Sequence, residues 1–200
     1  MKKLSDVIVI SVLLILLFSS SAFAVTIDFT NMGVFSGPSL TEGDVTVTGS
    51  ANVTHDNAGL GIAGGGNQFL IDSSSFGDES MSFSFANPVT DVVVHYSSTN
   101  TNSGDPFDVK AEFEGFDENA VSLGIMTVTM LQATTSIDIS ALFGLSDLSG
   151  FDITVIQDGM GISGIEYQLV PIPAAVWLFG SALGLLGWIR RNKNKGSNRI

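Results

Sequence analysis

Apolar and polar residues alternate with a period of two in five segments in the middle of this chain. The segments are residues 45–48, 81–85, 107–114, 151–155 and 165–169. This alternation is typical of strands that bury one face and expose the other. Antiparallel sheets have that character, and short strands at such spacing favour two packed sheets. We therefore predict an all-β fold, an antiparallel two-sheet sandwich.

Shorter patterns refine this prediction. Val92, Val93 and Val94 form a continuous apolar run, which predicts a strand buried on both faces. Turn-forming residues predict breaks at residues 87–88, 102–106, 115–119 and 158–164. No long helix is expected between these strands, and at most one short helical turn within residues 140–148.

The charge of the chain is distributed unevenly. Lys110 is the only basic residue among residues 25–169, against 19 Asp and Glu residues, so this region carries a net charge of −18. Such a domain repels phosphate backbones, which excludes nucleic acid as a partner. Divalent cations are a natural partner, although acidity also keeps a secreted domain soluble. The absence of cysteine excludes thiol nucleophiles and cysteine metal sites.

The first 24 residues have the pattern of a secretory signal peptide. Two lysines precede an apolar stretch at residues 7–18, and Ala22 and Ala24 then form the Ala-x-Ala pattern of a cleavage site. We expect export through the translocon and cleavage by signal peptidase after Ala24. The alternative is an uncleaved N-terminal anchor. The mature domain is then residues 25–169, a suitable length for one domain.

The C-terminal end has the pattern of a membrane-spanning helix. Residues 174–189 carry no charge, and a helix of that length extends about 24 Å. Residues 170–173 lengthen the apolar run to 20 residues, near the number that crosses hydrocarbon. Basic residues follow at once, beginning with Arg190 and Arg191. The end of the chain should therefore stay in the cytoplasm.

A more specific motif overlaps this helix and the basic residues after it. It consists of Val170, Pro171, Ile172, Pro173, Ala174, Ala175, Trp177, Gly180, Arg190 and Arg191. Residues 170–195 resemble the PEP-CTERM sorting signal of Gram-negative bacteria in its VPLPA-type variant. Ile172 stands where the Glu of Pro-Glu-Pro would be, which agrees with that variant.

The resemblance implies a sequence of events after export. The helix anchors the protein transiently in the inner membrane, and exosortase, a membrane-embedded cysteine transpeptidase, cleaves near the proline motif. The product is delivered to the cell surface or to an extracellular exopolysaccharide matrix, as in biofilms. The alternative is an ordinary C-terminal anchor that is never cut.

Residues 25–169 also resemble the jelly-roll sandwiches often found ahead of this sorting signal. The similar segments are residues 59–62, 67–72, 79–85, 113–119 and 161–167. Such sandwiches often bind carbohydrate, frequently with a structural calcium. The domain has no Trp and two Tyr, however, so it is poor in the aromatic side chains on which sugars stack.

One group of acidic residues is a candidate calcium site. Calcium prefers six to eight oxygen ligands, which carboxylates in loops and on strands supply. By parity, Asp108, Glu112 and Glu114 share one strand face. Lys110 lies on the same face and partly relieves their mutual repulsion. A solvated polar face is the alternative. The candidate ligands are Asp105, Asp108, Glu112, Glu114, Asp117 and Glu118.

No catalytic motif is present. The only histidines, His55 and His95, lie in no recognisable nucleophile or metalloprotease pattern. We therefore expect that the protein is not an enzyme. It should be an exported structural protein of the surface or matrix. The alternative is a secreted carbohydrate-binding or glycan-acting domain, with calcium as a candidate stabilising ion in either case.

Overall fold

Strand-forming sequence fills almost all of the region between the two terminal segments. The computed structural model describes residues 23–56, 59–63, 71–74, 77–99, 108–131, 135–144, 147–157 and 159–170. They belong to one compact unit, Phe23–Val170. The predicted signal peptide, apart from its last two residues, and the predicted sorting signal, apart from Val170, lie outside the described residues. Within the described ranges, no helix combines the length and the apolar character needed to cross a bilayer.

The predicted all-β fold is confirmed. A 3-10 turn, Phe29–Asn31, and one short helix, α1 (Ile139–Phe143), accompany the strands. The strands formed by the described residues are β1 (Ala24–Asp28), β2 (Phe35–Glu42), β3 (Val45–Asp56), β4 (Gly59–Ala63), β5 (Ile71–Ser74), β6 (Gly77–Thr99), β7 (Asp108–Phe116), β8 (Ser122–Leu131), β9 (Ser136–Asp138), β10 (Leu148–Gln157) and β11 (Gly159–Leu169).

Every pairing between the described strands is antiparallel. One half of the sheet has the order β2-β3-β6-β10-β7-β8. The other half has the order β2-β3-β4-β11-β6-β9, with β1 also paired to β11 and β5 paired to both β11 and β6. β2, β3 and β6 belong to both halves. The two halves are therefore joined by continuous hydrogen bonding.

β6 joins the two halves because it changes partners part-way along. Up to Phe85 it pairs with β3 and most of β10, and from Val89 onwards it pairs with β11. The strand continues through Asn87 and Pro88, so the turn predicted there is wrong. A proline has no N–H to donate, and this one lies where the ladder is changing partners.

The valine run in β6 is buried on one face only. Val92 and Val94 are buried, whereas Val93 is partly exposed. Its cross-strand neighbours, Glu166 and Asp138, are both exposed. The predicted burial on both faces is therefore wrong for Val93, because only one face of this part of β6 meets the core.

Aromatic side chains connect the two halves through the core. The ring of Phe83 stacks on that of Phe151 within one half, with 4.7 Å between centroids. The ring of Phe85 lies 5.2 Å from that of Tyr167, which belongs to the other half. Burying a large apolar side chain contributes roughly 1.5–3 kcal/mol, so contacts of this kind hold the halves together.

The short helix α1 is capped at both ends. The Asp138 carboxylate accepts a 2.8 Å hydrogen bond from the N–H of Ala141, and the helix ends at Gly144, whose φ of 63° suits a residue without Cβ. The Ser140 hydroxyl accepts a 2.8 Å hydrogen bond from the N–H of Val92. The predicted short helical turn is thus present, and it is fixed to β6.

Candidate functional site

The acids that the sequence alternation predicts on the outer face of β7 lie there in the structure. Val109 and Phe113 are fully buried, so the intervening residues point to the opposite face. Glu112 and Glu114 lie on that face with Lys110, and all three are partly exposed. The prediction that these residues share one face is confirmed.

Asp152 of β10 adds an acid to this face that the sequence analysis did not include. It lies directly opposite Glu114 across the β7–β10 pair, while Thr154 lies opposite Glu112. Like charges directly opposite each other destabilise a sheet. On the other side, the Ser122 hydroxyl donates a 2.5 Å hydrogen bond to Glu114 Oε1. The alternation marked Asp152 as outward-facing, but the alternation contains no information on which strands are neighbours.

Asp117 organises the turn between β7 and β8. Its Oδ1 accepts hydrogen bonds from the N–H groups of Asn119 and Val121, at 2.8 and 2.9 Å. Its carbonyl accepts one from the Ser149 hydroxyl at 2.5 Å. The carboxylate therefore satisfies backbone donors of its own turn, which is the common role of an Asp in this position.

Five of the six predicted calcium ligands lie in β7 and in the turn that follows it. Glu118 is exposed beside Asp117, and Asp108 begins β7. Asp105 lies outside the described residues. Across the described ranges, no group of three or more acidic or histidine side chains is placed to hold a metal ion. What the structure does bring together is the row of Glu112, Glu114 and the facing Asp152.

His55 is a core residue. Its side chain is fully buried, and Nδ1 is hydrogen-bonded to the carbonyl of Gly33. Because a carbonyl only accepts, Nδ1 must carry the proton. Nε2 is buried and has no hydrogen-bond partner among the described residues. A catalytic base must reach its substrate, and this ring instead ties the segment before β2 to β3.

His95 lies nearer the surface. Its Nε2 is 3.3 Å from Glu166 Oε1, and both side chains are partly exposed. Pairs of this kind contribute little to stability. The sequence left open which face His95 occupies, and the structure puts it on the outer face with Glu166.

The two ends of the unit lie side by side. In the β1–β11 pair, Ala24 is opposite Gln168 and Val25 is opposite Tyr167. The N–H of Leu169 also donates a 3.4 Å hydrogen bond to the carbonyl of Phe23. The predicted signal-peptide cleavage site and the first residue of the predicted sorting signal are therefore at the same end of the domain.

Comparison with models of known protein families gives no match for this chain, and comparison with curated protein sequences gives none either.

Proposed function

We propose that this protein is an exported structural component of the cell surface or extracellular matrix, and is a substrate of exosortase rather than an enzyme itself. After signal-peptide removal, the C-terminal helix anchors it in the inner membrane. Exosortase then cuts near Pro171 and Pro173 and releases the acidic domain. The matrix partner is exopolysaccharide.

The observation that carries this proposal is the order of features in the tail. A Val-Pro-Ile-Pro motif begins at Val170, an uncharged stretch follows to residue 189, and Arg190 and Arg191 come next. The apolar stretch has the length of a spanning segment, and the basic residues orient it. Neither feature alone would distinguish a sorting signal from an ordinary anchor; the proline motif at the start does.

The boundaries of the folded unit support the same proposal. β11 ends at Leu169, immediately before the proline motif, and β1 begins at Ala24, at the expected signal cleavage site. A cut near Pro171 would leave every described strand intact. A cut after Ala24 would leave residues 25–28 paired with β11.

We further propose that the two halves of the sheet form a jelly-roll-like sandwich. The contact between Phe85 of one half and Tyr167 of the other supports two facing layers. In the alternative function, such a sandwich would bind or cleave glycans. Both tyrosines of the domain, Tyr96 and Tyr167, are buried, so neither offers a surface for sugar stacking. This favours the structural role.

The proposal is tested by expressing the full chain in a Gram-negative host with exosortase and in the matching strain without it. We expect wild-type protein at the surface or in the medium of the first strain only. The variant P171A/P173A should stay in the membrane fraction of both strains, while the exposed-site control E118Q should behave as wild type. Equal distribution of all three proteins would contradict the proposal. Reducing-sugar release by the product would favour a glycan-acting domain instead.

A further inference from the structure

The strand β8 forms one edge of the sheet. Among the described residues it pairs with β7 alone. An edge strand presents unpaired backbone N–H and C=O groups, which are a template for pairing with another strand. Proteins usually protect such an edge with charged side chains, proline or a bulge.

This edge lacks most of that protection. Residues 120–137 contain no charged residue and no proline, in a domain whose other segments carry 19 acids. A bulge-like residue, Gly124 with φ of 98°, lies near the start of β8. The strand beyond it, residues 125–131, has neither charge nor glycine.

Apolar side chains on the core face of the sheet continue onto β8, where they are not all covered. Met130 and Met126 lie opposite the buried Val109 and Phe113 of β7. Met130 is 2% exposed, but Met126 is 44% exposed. On the other face, Ile125 is 59% exposed. Apolar side chains therefore remain uncovered on both faces of β8, as they would where a further strand belongs.

The sequence of this segment identifies the strand that fits. Residues 125–131 read Ile-Met-Thr-Val-Thr-Met-Leu, which is a palindrome if Ile and Leu are treated alike. An antiparallel copy centred on Val128 places Thr127 opposite Thr129 and Met126 opposite Met130. Thr–Thr and apolar cross-strand pairs are both favourable, and a two-fold interface requires this kind of self-complementarity.

We propose that β8 pairs antiparallel with β8 of a second copy of this chain, about a two-fold axis at Val128, so that two domains share one continuous sheet. Glu112 and its counterpart would be separated by three strand spacings, at least about 14 Å. That exceeds the Debye length of about 8 Å at physiological salt, so this approach avoids close contact between acids.

Because the chain has no cysteine, single cysteine variants of the full chain in detergent report the pairing directly. Residues opposite each other in an antiparallel pair are about 4.5–5.5 Å apart at Cα, within the range that a disulfide spans. V128C should cross-link to a species of twice the monomer mass under mild oxidation. The control is T41C, an exposed position on another edge strand, β2.

The register gives a sharper readout. A mixture of T127C and T129C chains should cross-link much faster than either variant alone, because each residue faces the other type in the second copy. Both positions are exposed, so folding should be unaffected. Cross-linking of V128C no faster than T41C, or no gain in the mixture, would overturn the proposal. Self-association through the C-terminal helix would not reproduce the register dependence.

Opposite charges provide a reversible test. T127K/T129K chains should lose self-association, with Kd at least about tenfold higher by sedimentation, which is 1.4 kcal/mol. T127E/T129E chains should behave likewise, and an equal mixture of the two should associate again through facing Lys and Glu. Association that is unchanged by both substitutions would contradict pairing through β8.

Discussion

Val25 and Tyr167 are direct cross-strand partners, so the first and last strands of the domain pair with each other. The predicted signal cleavage site and the start of the predicted sorting motif therefore lie at the same end of the domain. A domain built in this way is able to fold while a segment at either end is still attached to a membrane, because neither attachment interrupts a strand pairing.

The hydrogen bond from the Val92 N–H to the Ser140 hydroxyl should be a strong local stabiliser. This hydrogen bond is buried. S140A would leave the Val92 N–H without its acceptor and lower the free energy of unfolding by about 1–3 kcal/mol. Ser50 is the matched control, because its hydroxyl accepts the Ser80 N–H at an exposed site. Urea denaturation should show S50A close to wild type. Equal losses for both variants would contradict this account.

Gly59 should tolerate no side chain. It has φ of 123°, and a Cβ there would lie 2.2 Å from the carbonyl oxygen of Ile162. Strain and the backbone clash together should make G59A destabilising by at least about 3 kcal/mol. Gly43 also has positive φ but open space around it, so G43A should cost about 1–2 kcal/mol. In thermal denaturation, a larger loss of Tm for G59A than for G43A would show that the clash adds to the conformational cost. Equal losses would contradict this.

The facing carboxylates of Glu114 and Asp152 should oppose folding slightly. Removing one charge with D152N is expected to raise the free energy of unfolding by about 0.2–1 kcal/mol at neutral pH, with less gain in high salt. If calcium binds this row, adding it should raise Tm of wild type more than of D152N. If D152N leaves the free energy of unfolding unchanged, and calcium leaves Tm unchanged in both proteins, the face is simply solvated.

Asp28 should contribute to stability in a pH-dependent way. Hydrogen bonds from the Thr30 hydroxyl, the Thr30 N–H and the Asn31 amide lower the pKa of Asp28 below its usual range. A carboxylate with a lowered folded-state pKa stabilises the fold above its unfolded pKa, and that contribution is lost as pH falls through the folded value.

D28A should therefore be less stable than wild type at pH 7, and the difference should shrink below about pH 3.8. Urea denaturation at several pH values measures it. The control E118A removes an exposed carboxylate with none of these hydrogen bonds among the described contacts. A difference for D28A that stays constant down to about pH 2.5 would rule out this role for the carboxylate.

The sequence predicted the strands well because their cause is local. Alternation alone placed Phe113 inside and Glu114 outside, and both placements agree with the structure. The short helix was also predictable, because Asp138 and Gly144 are ordinary capping residues at its two ends.

Strand order was not predictable, because it depends on contacts between residues far apart in sequence. The position of Asp152 opposite Glu114 follows from β10 lying beside β7, which no local pattern encodes. The same applies to Pro88, which resembles a turn residue locally but lies where β6 passes from one half of the sheet to the other. The fate of the terminal segments stays a prediction from sequence.

The most direct test of the central claim is the intact mass of the mature protein, recovered from the surface or medium of a native host. The account predicts a chain beginning at Val25 and ending near Pro171–Pro173, with or without an added group at the new C-terminus. A mass that extends to Ile200, found only in the membrane fraction, would contradict it and show that the tail is a permanent anchor.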